Sequence, residues 1–240
     1  MDCIKDVFDL ERRMIAFDFK KALERINSEE YKQEEAKREE KERQQEELRK
    51  QTACFTGHRP DKYGDYDIKH EKNKPIIKAL INAIEVAIKQ ENVNRFISGG
   101  AIGVDTLAFY SVHKLKEKYP NIKNILSIPF EQQDKVWSGE QKKWYRRMIE
   151  LADEVIYVDT LDDYKIKDLP IGEYNPVKMQ KRNEHMVDNS FVVIAFWDGS
   201  SGGTSNCVKY ARKQYVDRVL YRIDPRYNCE LDVRYIGNGL

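Results

Sequence analysis

Long apolar runs, paired cysteines and a surplus of one charge are all missing from this sequence. The longest unbroken apolar stretch is seven residues, Phe191 to Trp197, far short of the ~20 that a membrane-spanning helix needs, so no membrane association is expected. The opening Met1-Asp2-Cys3-Ile4-Lys5-Asp6 lacks the basic-then-apolar build of a secretory signal. Cys3, Cys54, Cys207 and Cys229 lie far apart with no Cys-x-x-Cys pair. That argues against a cysteine zinc site or a disulfide framework and suits a reducing, cytoplasmic location. His58, His70, His113 and His185 are isolated from one another, so no metal site is expected. Lys+Arg 42 against Asp+Glu 41 leaves a net charge of +1. A uniformly basic nucleic-acid binder is therefore disfavoured, as is a chain kept unfolded by self-repulsion.

What is present is 240 residues with 40% apolar and 35% charged side chains, against the usual ~45–50% and ~25%. The charge is concentrated. From Asn27 to Gln51, 16 of 25 residues are charged and only Tyr31, Ala36 and Leu48 are apolar. The stretch has no Gly or Pro and consists of good helix formers, with i,i+4 acid-to-base pairs such as Glu34–Arg38, Glu39–Arg43 and Glu46–Lys50. Three apolar residues make no heptad seam. The segment reads either as a solvated helical spacer of about 37 Å or as a partly disordered tether. Before it, Ile4, Val7, Phe8, Ile15, Phe19, Leu23 and Ile26 recur at spacings near three and four. That pattern predicts an amphipathic helix, packed on its own core or mediating homo-oligomerisation or a protein partner. The expected order is an amphipathic helix over 1–26, a charged spacer over 27–52 and a globular body over 53–240.

The body alternates short β-rich runs with helical periodicity. Runs at Ala53–Gly57, Val93–Ser98, Ile125–Ile128, Glu154–Val158, Phe191–Trp197 and Val219–Ile223 are separated by helix signals. These include the face Ile76, Ile77, Leu80, Ile81, Ile84 and Ile88, with Pro75 near its start, and stretches near 139–152, 176–189 and 204–216. The fold class is α/β, a mostly parallel sheet with helices on both faces. Ligands of such sheets sit beyond the carboxyl ends of the strands, where the unusual residues of this chain fall.

Ser98-Gly99-Gly100-Ala101-Ile102-Gly103-Val104-Asp105 follows a strand and opens a helix. Glycines there let backbone N–H groups approach an anion, though tight turns use the same residues, and neither the GxGxxG nor the P-loop pattern is met. Asp198-Gly199-Ser200-Ser201-Gly202-Gly203-Thr204 is a second such turn, with Thr204 suited to capping the helix or to donating to a phosphate. Thr56-Gly57-His58-Arg59-Pro60 sets a cation and an imidazole at the first strand end, Arg59 being the candidate phosphate clamp. Arg182-Asn183-Glu184 falls on a helix that either reads a base or ribose or simply faces solvent. Lys142 to Arg147 has the look of a basic, aromatic-interleaved patch. However, Trp144 and Tyr145 continue at helical spacing to Met148 and Ile149, which favours a buried face.

Together, Cys54 to Pro60, Ser98 to Asp105, Pro129-Phe130 with Gln133 and Trp137, Arg182-Asn183 with Met186-Val187-Asp188, and Ala195 to Gly199 with Gly202-Gly203-Thr204 resemble the YpsA/YoqJ-like branch of the SLOG superfamily. The likeness runs from about residue 53 to 222 and leaves out the N-terminal 52 residues. It implies a Rossmann-like domain with a nucleotide-derived ligand over the strand ends and no further cofactor. It implies Gly99, Gly100, Gly103, Asp105, Arg182, Asn183, Gly202, Gly203 and Thr204 as binding residues. Families similar to this one include lonely-guy phosphoribohydrolases, DprA-type DNA-processing proteins and defence sensors of cyclic ADP-ribose-type signals. A sensor is one implied role, and a signal-sequestering, anti-defence protein of a phage or mobile element is another. The phosphoribohydrolase pattern Gly-Gly-x-Gly-Thr-x-x-Glu is not kept, because Cys207 stands three residues after Thr204. Without that glutamate the expectation is binding without turnover, with Asp198 and Glu184 as stand-in catalytic candidates and Asp105 a third. A nucleotide N-glycosidase and a single-stranded DNA binder are the rival readings. The slight basic excess of the body speaks against the second.

Overall fold

The computed structural model describes residue 25, residues 28–214 and residues 217–236. Apart from Arg25, the expected amphipathic helix of residues 1–26 lies outside the described residues. Contacts divide the chain into Met1–Glu47 and Leu48–Leu240. Helix α1 (Glu29–Lys50) carries Glu29 and Glu30 in its first turn and Arg49 and Lys50 in its last, charges that complement the helix dipole. Two of the three expected ion pairs, Glu34–Arg38 and Glu39–Arg43, give way to others. Arg38 pairs with Glu35 and Glu42, and Arg43 with Glu40, because side chains three and four apart compete for the same partners. Among the described residues no helix is long and apolar enough to cross a membrane.

The body is a seven-stranded sheet in the order β4-β3-β2-β1-β5-β6-β7. Its strands are β1 (Thr52–Gly57), β2 (Arg95–Ser98), β3 (Lys123–Ile128), β4 (Glu154–Tyr157), β5 (Val192–Phe196), β6 (Arg218–Asp224) and β7 (Glu230–Ile236). The first six pair in parallel. β7 runs antiparallel to β6 and has no counterpart in the sequence reading. Its alternation of charged and apolar residues marks a half-covered edge strand, a pattern unlike the continuous apolar runs of the buried strands.

Helices α2 (Lys74–Glu91), α3 (Val104–Leu115), α4 (Gly139–Leu151), α5 (Pro176–Asp188) and α6 (Gly203–Gln214) fill the connections. Side-chain alternation along the strands sorts them into layers. Phe55, Ile194 and Tyr221 pack with Leu80 and Ile84 of α2 and Leu107 and Val112 of α3. Cys54, Val193 and Leu220 pack on the other face with Met186 and Val187 of α5 and Cys207 and Val208 of α6. Tyr145 and Met148 of α4 are buried against Phe109, Leu126 and Ile128, so the aromatic-interleaved segment of residues 142–147 gives its apolar face to the core. Each fully buried side chain of this size contributes about 1.5–3 kcal/mol. The helix ends obey local chemistry. Ser138 and Gln141 form a capping box on α4, the Asn175 side chain accepts the Val177 N–H at the start of α5, and α2 ends at Asn92 in a left-handed conformation with φ 55°.

Candidate functional site

The chain moves outward from β1 to β4 on one side of the sheet, then crosses to lay β5 and β6 on the other. The crevice between the loops after β1 and β5 is therefore the point where strand order reverses, the place where α/β sheets take their ligands. A cleft of about 390 Å³ lies there. Of the residues singled out from sequence, Thr56, Gly57, His58, Arg59, Asp105, Arg182, Asn183, Gly203 and Thr204 line it. Four segments far apart in the chain thus converge on one space.

The two glycine turns behave differently. At the β5–α6 turn, a Cβ added to Gly202 or Gly203 would meet no atom within 4 Å, so the backbone there lies open. Gly202 has no side chain with which to cap α6, and the Asn206 N–H reaches its carbonyl at 2.9 Å. The first turn of α6 therefore presents N–H groups and the positive end of the helix dipole toward the cleft. At the β2–α3 turn the glycines are instead occupied from behind. A Cβ on Gly99 would sit 1.4 Å from Arg182 Nη1, and one on Gly103 2.9 Å from the His58 carbonyl oxygen. Gly100 has φ +65°, and the Gln133 side-chain amide donates to its carbonyl at 3.1 Å. Ser98, Gly99, Gly100 and Gly103 are thus not among the lining residues; they let α3, α5 and Gln133 close around the turn. The Ser98 hydroxyl is buried without a partner.

Behind that turn, Arg182 Nη1 donates to Asp105 Oδ2 at 3.2 Å, both side chains being more than nine-tenths buried. The Ala101 N–H reaches the same oxygen at 3.4 Å. Burial pushes the Asp105 carboxyl up, over the opposing pull of Arg182, the Ala101 amide and Arg59. Arg59 is exposed and makes no ion pair with a carboxylate among the described residues, which leaves its guanidinium for an anion. Asn183 sits half-buried in the cleft wall, one residue from Arg182 on α5.

Asp198 is the hub of a clasp between the β1 and β5 loops. Its Oδ1 takes His58 Nε2 at 2.9 Å and the Ser200 N–H at 2.9 Å. Its Oδ2 takes the Tyr63 hydroxyl at 3.1 Å and Lys62 Nζ at 2.9 Å. Burial works to raise this carboxyl, yet the bonds from Ser200, Lys62 and His58 outweigh it and hold Asp198 well below the usual carboxylate range. A carboxylate so occupied is a poor proton carrier. Burial also lowers His58, despite Asp198, so the ring is neutral near pH 7 and Nε2 carries the proton donated to the carboxylate. Glu184 accepts from Lys181 at 2.7 Å and Gln180 at 3.3 Å on its own helix. Neither Asp198 nor Glu184 is among the lining residues.

Asp61, Lys62 and Met179, which the motifs did not include, also meet here. Asp61 and Lys62 add charge to the cleft, and Met179 joins Ile102 and Met186 of the motifs in an apolar wall. Met179 and Met186 were legible as one face of α5, and Lys62 carried no signal at all. Behind Phe130, Lys178 and Asp159 form an ion pair at 2.7 Å with each side chain 3% exposed. Lys178 also donates to the carbonyls of Pro170 and Glu173. Among the described residues no cluster of three or more His, Cys, Asp or Glu could hold a metal ion.

The profile of the YspA SLOG family matches residues 53–225. An uncharacterised SPbeta prophage-derived protein, YoqJ, of Bacillus subtilis is 50% identical over 167 residues, which cover 68% of this chain and 98% of that one. A UPF0398 protein of Halalkalibacterium halodurans is 27% identical, covering 66% of this chain and 79% of its own. Among solved structures, DNA processing protein A of Streptococcus pneumoniae aligns at a TM-score of 0.45 and 17% identity, over 71% of this chain and 49% of that one. The single-stranded-DNA-binding DNA processing protein A of Helicobacter pylori aligns at a TM-score of 0.45 and 19% identity, over 75% and 67%.

Proposed function

This chain belongs to the YspA SLOG family, and on that footing we propose that its cleft binds a small nucleotide-derived ligand, ADP-ribose-like or cyclic, as a sensor or a sequestering protein. The observation that carries the reading is the meeting of three kinds of group in one cleft of about 390 Å³. The open first turn of α6 at Gly203 and Thr204, with Arg59, suits a phosphate. Asn183 and the Arg182-braced Asp105 suit the hydroxyls or base edge of a nucleoside. Ile102 and Met179 supply an apolar wall for a planar ring.

Binding without turnover is supported by the state of the carboxylates. Asp198 is saturated with donors and Glu184 is engaged on its own helix, which leaves Asp105 as the acid that a nucleotide-cleaving reading would have to use. The body over residues 53–240 would hold the ligand, the charged segment over 27–52 would act as a spacer, and residues 1–26 would reach a partner or a second copy. Likeness to a prophage-derived protein supports sequestration of a signal in a mobile element within the cytoplasm.

Native mass spectrometry of protein purified from cells that make such signals, with thermal shifts across a panel of nucleotides, tests the reading. A retained nucleotide mass and a shift that Arg59→Ala removes, with the ligand-free melting temperature unchanged, is the expected result. Empty protein and a flat panel would overturn it. Release of free base during the incubation would move the reading to the N-glycosidase class, and a salt-sensitive gel shift with single-stranded DNA would move it to nucleic acid.

A further inference from the structure

The two edges of the sheet are built differently. β4 is four residues long and runs straight into a 3-10 turn, Val158–Thr160. β7 is seven residues long, and its register on β6 is unbroken from Glu230 to Ile236, with no bulge and no proline. Proteins blunt an edge of that length with bulges, prolines, charges or a covering segment, because a row of unpaired N–H and C=O groups recruits another strand; of these β7 has charges, and they are of both signs. Among the described residues β6 is the only strand on β7.

The sequence of β7 is complementary to itself when reversed. It reads Glu230-Leu231-Asp232-Val233-Arg234-Tyr235-Ile236. Laid antiparallel on a second copy with Val233 opposite Val233, Asp232 falls opposite Arg234 twice and Leu231 opposite Tyr235 twice. A two-fold axis perpendicular to the sheet keeps like faces together, so the register can slip only in steps that move the axis by one residue. One step sets Asp232 opposite Asp232, and the other sets Arg234 opposite Arg234. Like charges directly opposite are destabilising and opposite charges favourable, so the charges select a single register. In the isolated chain Arg234 Nε donates to Asp232 at 2.7 Å within the strand. Their side chains are 59% and 47% exposed, so exchange to cross-strand pairing buries no lone charge. Tyr235, 68% exposed, would be covered by Leu231 of the other copy, while its hydroxyl keeps its bond to Glu91 at 2.9 Å.

We propose that β7 is the contact edge of a two-fold homodimer, paired antiparallel with β7 of a second copy about Val233. The contact is isologous and closed. It lies at the sheet edge with β6 between it and the β1–β5 crevice, so both clefts stay open and the interface does not depend on what they bind.

Sedimentation and native mass spectrometry of the full chain over a concentration series test this. The wild type is expected to dimerise. Asp232→Arg and Arg234→Asp each set like charges opposite one another and are expected to sediment as monomers with unchanged circular dichroism. An equimolar mixture of the two variants sets opposite charges together, and a heterodimer of the summed mass should return. Hydrogen exchange along β7 of the wild type needs no variant and should slow as concentration rises. A wild type that stays monomeric, a dimer that survives each reversal, or exchange in β7 that ignores concentration would each overturn the proposal.

Discussion

At the residue scale, the glycine turn after β2 shows how a motif can be legible while its reason is not. Ser98 to Asp105 stands out in the sequence as a strand–glycine–helix junction. What Gly99 accommodates is Arg182, 77 residues from Asp105, and no spacing rule announces that. Gly99→Ala would drive a methyl group to 1.4 Å from Arg182 Nη1 and displace the guanidinium from Asp105. We expect a loss of about 1–3 kcal/mol in urea unfolding, the ordinary cost of overpacking a buried site, together with loss of ligand affinity. The same change at Gly203, where nothing stands within 4 Å, should leave stability nearly untouched. His58 and Arg59 teach a similar lesson. A His-Arg pair at a strand end reads as two ligand groups, yet the imidazole is committed to Asp198 across 140 positions of chain, while Arg59 has no ion pair among the described residues.

At the element scale, the long connection between β4 and α5 is anchored by a buried ion pair. Lys178 of α5 reaches Asp159, Pro170 and Glu173, and the Gly172 N–H reaches the same Asp159 oxygen at 2.8 Å. Lys178→Met keeps the aliphatic stem and strands the Asp159 carboxylate. Breaking a buried pair from one side costs about 3–5 kcal/mol, so a loss of that size in chemical denaturation is expected, with new protease cleavage between residues 161 and 175. The elements were legible wherever one local rule sufficed. Continuous apolar runs gave β1, β5 and β6, and Pro75 with its apolar face gave α2. β7 escaped because its apolar residues alternate with Glu230, Asp232 and Arg234, a pattern that looks like surface until β6 is set beside it.

At the scale of the whole molecule, one buried histidine couples the fold to pH. His185 lies against Ser127, with Nδ1 3.0 Å from the hydroxyl, and edge-on to the Tyr164 ring. Burial holds it down at about 4, over the opposing pull of Asp188 and Glu154. The unfolded chain takes up that proton near the ordinary 6.5 and the folded chain does not, so the contribution is complete above pH 6.5 and is lost as the pH falls toward 4. The size is ~3 kcal/mol for a shift of this extent. Melting temperatures across that window should fall in the wild type, and His185→Gln should flatten this part of the fall; a variant with the same slope would assign the acid sensitivity elsewhere.

The sequence by itself determined the alternation of strand and helix, the burial of both sheet faces, the placement of unusual residues at strand ends and the family. Each of these follows from periodicity, turn chemistry or motif order within a few residues of chain. Only the tertiary structure decided which of those residues share a space. It set Arg182 behind Gly99 and the opened turn of α6 beside Arg59, and it joined Asp198 to His58 and placed β7 at the end of the described sheet. Such choices depend on strand order and on contacts between residues far apart in sequence, where desolvation and hydrogen-bond competition, rather than local preference, set the outcome.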